Sequence, residues 1–313
     1  VLLTSARDLL VAYPPILQCT RTLPPPISAP ARKPRVNSHG TLQESPDPAP
    51  PTRSTTNHDR HTMMDFRWDI LAGYGPLFVE GVITTIELTL VAIVAGLALG
   101  ISFGLISSSV HAPPPRSLAW AWFLKGLRAL TTAYVTFFRG TPLFVQILLV
   151  HFALMPALIH PDSGWLLSGD AARTFRQEHG AFFSGCLALS LNAGAYISEI
   201  FRAGIQSIHL GQTQAGYSLG LTHAQSMRHV ILPQAFRRMV PALVNEGITL
   251  IKDSSLVSAI GLAELALAAR TVAGAYSRYW EPYLAISAIY LVLTLVLATL
   301  ARRLETPAYQ RGR

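Results

Sequence analysis

Residues 82–106 read VITTIELTLVAIVAGLALGISFGLI, 25 residues with a single charged side chain, Glu87. A bilayer core of about 30 Å takes roughly 20 apolar residues of helix, so this run predicts a membrane span. The whole chain agrees. Of 313 residues, 50% are hydrophobic and only 13% charged, against about 25% charged in an ordinary soluble domain. Mean hydropathy is +0.35. The fold class expected is therefore an all-α membrane protein.

Four more apolar stretches follow: Pro142–Ile159, Ala181–Phe201, Val240–Ile260 (interrupted by Lys252 and Asp253) and Pro282–Ala301. Five spans place the two ends on opposite sides. The loops set the direction. The segments after spans one, three and five hold 12 Lys/Arg: Arg116, Lys125, Arg128, Arg139, Arg202, Arg228, Arg237, Arg238, Arg302, Arg303, Arg311 and Arg313. The opposite set, Arg67, Arg173, Arg176, Arg270 and Arg278, holds 5. The positive-inside rule puts the N-terminus outside and the C-terminus in the cytoplasm. The net charge of +8 thus reads as orientation rather than as a nucleic-acid surface. Between spans one and two, Arg116–Phe138 mixes Trp120, Trp122, Phe123, Leu127, Leu130 and Tyr134 with Lys125 and Arg128, the pattern of an interfacial amphipathic helix; an extra half-span competes. Gly96, Gly100 and Gly104 share one face of span one, where small residues let a second helix approach.

Residues 1–62 differ, with 11 of the 22 prolines. Proline at that density prevents regular helix, and the few apolar runs cannot offset ordering entropy. This tail is expected to be disordered. Met63 or Met64 is expected to be the translation start, with a genuine disordered arm as the alternative, and 63–313 is the expected membrane domain. Cys19 and Cys186 cannot build a disulfide framework, and Cys186 reads as a small buried hydrophobe.

The most informative loop lies between spans three and four. It runs Gly211-Gln212-Thr213-Gln214-Ala215-Gly216-Tyr217-Ser218-Leu219-Gly220-Leu221 and on through His223–Val230 to Ile231-Leu232-Pro233-Gln234-Ala235. It holds little charge, small residues where two short helices would touch, a central glycine, and a proline fit to open the next helix. Such a segment predicts a compact helical knob offered to another protein.

Here the chain resembles the membrane subunits of bacterial ABC importers. Their pattern is Glu-Ala-Ala, three residues, Gly, nine residues, Ile-x-Leu-Pro. It falls on Gln214, Ala215, Gly216, Gly220, Val230, Leu232 and Pro233, with Gln214 in place of Glu, Gly216 of Ala and Val230 of Ile. Phe138-Arg139-Gly140-Thr141-Pro142-Leu143 with Gln146, Ser190 through Tyr196 with Glu199 and Arg202-Ala203-Gly204, and Lys252 through Leu256 look like the polar amino-acid subfamily. The resemblance covers about residues 75–305. It implies a type I importer: a permease paired with a second, identical or sister, permease subunit in the lipid bilayer. An ABC ATPase would bind below, and an extracytoplasmic amino-acid-binding protein would deliver cargo. The knob, Gln214, Ala215, Gly216, Gly220, Leu221, Leu232 and Pro233, would be the coupling helix, drawn together with its twin as the ATPases close. No cofactor is expected in this chain; ATP and Mg would sit on the ATPase. In agreement, the three lysines, Lys33, Lys125 and Lys252, complete no Gly-x4-Gly-Lys-Ser/Thr phosphate loop, so this chain is not expected to be an enzyme. No nucleic-acid partner is expected either.

Charges at membrane depth are costly and face a cavity or a partner. Glu87, Glu199, Lys252 and Asp253 are candidates for the substrate path. Lys252 and Asp253 have local neutralisation as the alternative. Gln146 and Asn192 are offered either to substrate or to another helix. His209, His223 and His229 have no spacing that makes a metal pair. Two rivals remain: an ion-coupled secondary amino-acid transporter, weakened by the lack of an internal repeat, and an intramembrane enzyme, for which no paired catalytic residues stand out.

Overall fold

A computed structural model describes residues 66–108 and 117–305. The Pro-rich tail, the Met63-Met64 start, Cys19, Arg116, Arg311 and Arg313 lie outside them. The described part is helical throughout. α1 is Asp69–Ala72, α2 Gly75–Ser108, α3 Leu118–Gly140, α4 Leu143–Leu149, α5 Met155–Leu158, α6 Gly169–Glu178 and α7 Gly180–Gln206. α8 is Leu210–Ser218, α9 His223–Ser226, α10 Leu232–Asp253, α11 Leu265–Tyr276 and α12 Trp280–Glu305.

Three helices, Gly75–Ser107, Gly180–Gln206 and Trp280–Arg302, are long and apolar enough to cross a bilayer alone. Two bent pairs raise the count to five: Leu118–Gly140 with Leu143–Leu158, bent by 109°, and His223–Ile260 with Leu265–Tyr276, bent by 51°. Spans two and four are thus broken. Leu143–Leu158 alone is only about 24 Å long at 1.5 Å per residue, short of the hydrocarbon core. The expected interfacial helix and the expected second span are two arms of one bent unit.

The helices are held at their glycines. A Cβ on Gly96 would lie 2.8 Å from the Ala193 Cβ, one on Gly100 2.6 Å from the Ile197 Cβ, and one on Gly104 2.6 Å from the Phe201 Cβ. Each four-residue step along α2 matches a four-residue step along α7 in the same sense, so the two helices run parallel. Gly204 of α7 meets Met239 of α10, and Gly247 of α10 meets Ile93 of α2, so α10 runs against both. Gly247 also meets Leu297, while Tyr290 of α12 reaches Glu264 at the level of Thr85, which returns α12 to the direction of α2. This is the alternation that spans one, three, four and five require. The main core joins Leu88, Ala92, Ile147, Leu189, Ile197, Met239, Leu250 and Val257, and Cys186 lies buried in it as a free thiol.

Two π-helical turns, Val150–Leu154 and Met227–Ile231, each end two residues before a proline, Pro156 and Pro233. Proline removes a donor and presses its ring on the carbonyl four residues back; a wide turn relieves both. The second broken span turns at Gly261, in the left-handed region at φ 84°. The chain re-enters helix at Glu264, whose Oε1 accepts from the Leu267 N–H at 3.0 Å.

The glycine contacts differ sharply in what they tolerate. Gly100→Ala is expected to lower stability by about 1–3 kcal/mol, the cost of overpacking. Gly126, on α3 with nothing within 4 Å of an added Cβ, is expected to gain about 0.5–1 kcal/mol as alanine. Thermal unfolding of the two purified variants in detergent checks the pair.

Candidate coupling segment and translocation path

The loop between spans three and four folds as two helices at a tight corner. α8 begins at His209, whose Nδ1 accepts from the Gly211 N–H at 3.0 Å. It ends in a Schellman turn: the Leu221 N–H donates to the Gly216 carbonyl (3.1 Å) and the Gly220 N–H to that of Tyr217 (2.9 Å), with Gly220 at φ 78°. Glycine reaches that region without strain. α9 opens on a capping box. The Thr222 hydroxyl accepts from the Gln225 N–H at 3.3 Å, and the Gln225 Oε1 accepts from the Thr222 N–H at 2.9 Å.

Gly216 faces inward, where a Cβ would sit 2.7 Å from the Ser226 Oγ. Gln214 and Ala215 face outward and are exposed. Leu221 tucks under the turn, half-buried. Leu232 and Pro233 form the first turn of α10. At the corner, Leu219 is 82% exposed, with no apolar neighbour to cover it. The knob is stapled to the bundle. The Gln234 Nε2 donates to the Gln212 Oε1 at 3.2 Å, and the Arg238 guanidinium donates to the Ser207 carbonyl at 2.6 Å. Leu219 was not singled out in the sequence; an apolar residue immediately before the turn glycine, where charge is the norm, is its signal.

The path candidates separate into two groups. Gln146 and Asn192 are buried and joined, the Asn192 Nδ2 donating to the Gln146 Oε1 at 2.9 Å. The Gln146 Nε2 donates to the Phe138 carbonyl (2.8 Å) and the Thr141 carbonyl (3.0 Å), and Asn192 adds a bond to Phe138 at 3.3 Å. Helix ends leave carbonyls without intrahelical partners, and a bilayer offers no water for them. The two amides meet that need at the 109° corner. Seven residues on, along the same face of α7, Glu199 pairs with Arg202 and stands 3.9 Å from the Arg139 guanidinium. Arg139 in turn lies 5.4 Å over the Tyr196 ring. The α3–α4 corner therefore covers the polar face of α7.

Glu87 and Lys252 belong to the second group. Glu87 is exposed on α2 beside Ile83, Ile86 and Leu90 and takes no ion pair among the described residues. Lys252 is exposed on α10 and Asp253 half-buried. They form no ion pair with each other, because adjacent helical residues point about 100° apart and do not face. Asn245, exposed, and Thr249, half-buried, lie seven and three residues before Lys252. Together they give α10 a polar outward stripe that the sequence had not singled out; their i, i+4, i+7 spacing carries the signal.

A further buried acid was missed. Glu264 is fully buried, caps α11, and accepts from the Tyr290 hydroxyl at 2.8 Å. It locks α12 to the break in span four.

The described residues thus form a helical domain with three to five candidate membrane spans, two of them broken, and a two-helix knob ahead of α10. The family described as binding-protein-dependent transport system inner membrane component matches residues 116–306. The chain is 35% identical over 230 residues to the arginine transport system permease protein ArtQ of Bacillus subtilis, covering 74% of this chain and 91% of the relative. It is 35% identical over 243 residues to the glutamate/aspartate import permease protein GltK of Escherichia coli, covering 78% and 98%. A crystal structure of an amino acid ABC transporter with histidines superposes with a TM-score of 0.63 at 37% identity, over 77% of this chain and 99% of that one. An inward-facing MetNI methionine ABC transporter shares the fold at 19% identity and a TM-score of 0.57. This chain belongs to the family of binding-protein-dependent transport system inner membrane components. It is an ABC permease subunit, and membership brings a substrate-binding protein and a separate ATPase as partners. The ion-coupled alternative finds no support in these matches.

The corner network is expected to behave as one unit. Gln146→Ala and Asn192→Ala each leave a buried amide or carbonyl unsatisfied, at about 1–3 kcal/mol. The double variant is expected to cost less than the two together, with a coupling of about 0.5–3 kcal/mol, measured by thermal unfolding of all four proteins.

Proposed function

We propose that this permease carries a polar amino acid inward, with the N-terminal end of α2 outside and the knob in the cytoplasm. The relatives named for arginine and for glutamate/aspartate support the substrate class, and the distribution of Lys/Arg supports the orientation. The single observation behind the coupling role is the preformed α8–α9 knob with Leu219 uncovered at its corner. A rigid apolar tip of this kind suits insertion into a groove on the ATPase. Gln214, Ala215, Gly216, Gly220, Leu221, Leu232 and Pro233 then shape, close and anchor the coupling element. Glu87, Lys252 and Asp253, with Asn245 and Thr249, provide the polar faces that a translocation path between two permease subunits needs. Gln146, Asn192 and Glu199 hold the α3–α4 corner that backs this path.

The full chain, reconstituted in liposomes with its ATPase and binding protein, is expected to take up at least one of L-arginine, L-glutamate, L-glutamine or L-cystine only when ATP is supplied. Uptake driven by an ion gradient without the ATPase would refute the proposal. Leu219→Ala is expected to weaken ATPase association about tenfold or more, as loss of a central apolar anchor does, measured by titrating ATPase onto permease in nanodiscs. Gln214→Glu restores a carboxylate and is expected to make coupled ATP hydrolysis more salt-sensitive. An unchanged salt profile would remove Gln214 from the contact.

A further inference from the structure

A cavity of about 290 Å³ opens between the π turn after α4, the loop after α5, and α6. On the proposed orientation it lies at the extracytoplasmic end, and its lining shares no residue with the knob or the polar stripe of α10. Its polar wall is His151, Arg173, Arg176 and Gln177, and no carboxylate lines it. Of the nearby acids, Asp170 pairs with the wall's own Arg173 at 3.4 Å through an almost fully exposed side chain, and Glu178 sits 3.9 Å from His179. Arg176 is half-buried and takes no ion pair among the described residues.

The wall is held rigidly. Ala172 is fully buried and Phe175 packs beside it against Met155 and Ile159. This fixes the roll of α6 and presents Arg173, Arg176 and Gln177, at i, i+3 and i+4, on one face. The loop is closed by the Gly164 N–H on the His160 carbonyl (3.0 Å) and the Gly169 N–H on that of Pro161 (2.8 Å). The Ser184 hydroxyl donates its one proton to the Gly180 carbonyl at 2.7 Å, so it accepts from His151 Nδ1 at 3.0 Å. The imidazole is thereby fixed in place at the cavity wall.

We propose that this cavity binds a carboxylate, namely the α-carboxylate of the amino acid at its entry to the permease; the choice of an amino acid rests on the function proposed above. Arginine forks match carboxylate oxygens two by two. The volume stands at the lower edge of small-molecule pockets, about 300 Å³, which suits an amino acid. A carboxylate common to all amino acids also needs no side-chain-specific contact here.

The test uses the full chain, ring-15N-labelled at histidine and reconstituted with its ATPase in phosphatidylcholine nanodiscs, with His151 assigned by its loss in His151→Gln. L-arginine and L-glutamine are expected to shift the His151 resonances saturably, whereas agmatine, which is arginine without its carboxylate, does not. Arg176→Gln is expected to raise the midpoint at least tenfold, and Arg176→Lys less. Arg270→Gln, at an exposed position of α11, leaves the midpoint unchanged. Equal shifts with agmatine, no shift with either amino acid, or an unchanged midpoint in Arg176→Gln would overturn the proposal. So would saturation by added phosphatidylglycerol alone, which would make the cavity a lipid-headgroup site. ATP-driven uptake by the same preparation separates the two readings. Uptake without a His151 response defeats only the entry site, whereas absence of uptake for every amino acid strikes at the transport function itself.

Discussion

The arrangement of this protein depends on how closely two backbones approach. In lipid there is no hydrophobic force to drive one helix onto another, so association rests on packing and on polar contacts. At Gly96, Gly100 and Gly104 the α2 backbone lies directly on α7, and a Cβ at Gly96 or Gly104 would come within 3.4 Å of the Ser190 or Ser198 carbonyl. With α2 and α7 locked in parallel, the remaining directions follow. α10 fits against both in the opposite sense through Gly204–Met239 and Gly247–Ile93, and α12 packs on α10 at the same glycine through Leu297. The outer face of α12 leaves Leu291, Val292, Leu295, Val296 and Leu300 exposed.

Breaking a helix inside a membrane exposes donors and acceptors that only the protein can satisfy. Each break here carries its own polar clasp. At the α3–α4 corner it is Gln146 with Asn192, at the α10–α11 break Glu264 with Tyr290. Where the chain enters α12, Glu281 accepts from the Arg67 N–H at 2.9 Å and from the Arg278 Nε at 2.8 Å. This gives a physical rule for sorting polar residues in the domain. Those whose hydrogen-bonding groups are all engaged by the fold serve the breaks. Those left without ion pairs on an outward face, Glu87 and Lys252, are the ones available to cargo or to a second subunit.

Much of this was legible in the sequence because it depends on local composition. Apolar length located five stretches that fall on the three candidate spans and the two bent pairs, with starts seven or eight residues off where a helix begins before the apolar run: Gly75 rather than Val82, Leu232 rather than Val240. The glycine stripe and the helix–turn–helix of the knob were legible for the same reason, since a left-handed turn at Gly220 and a proline at a first turn are near-neighbour effects. The bent unit was not. Arg116–Phe138 and Pro142–Ile159 read as two separate elements, because their union depends on Asn192, about 50 residues away in the chain. Glu264 stayed hidden likewise. In sequence it is one acid between Gly261 and an apolar run, and its role as a cap becomes visible only when Tyr290 arrives from another helix.

The coupling segment and the break in span four belong to one mechanical element. α9, the π turn and α10 form an unbroken helical rod from His223 to Asp253, and the rod is clamped at its base by Gln234 on Gln212 and Arg238 on Ser207. Leu219 stands before the rod, joined to it by the hydrogen-bonded turn at Gly220 and the Thr222–Gln225 capping box. The first residue in the left-handed region beyond the rod is Gly261, where the span bends, and past it Glu264 holds α11 to α12. The outward polar stripe of Asn245, Thr249 and Lys252 lies between these two points, on the rod itself. The same geometry explains why the knob needs so little charge. On the coupling role proposed above, the knob needs a tip that fits a groove and a stiff connection behind it, and shape supplies both.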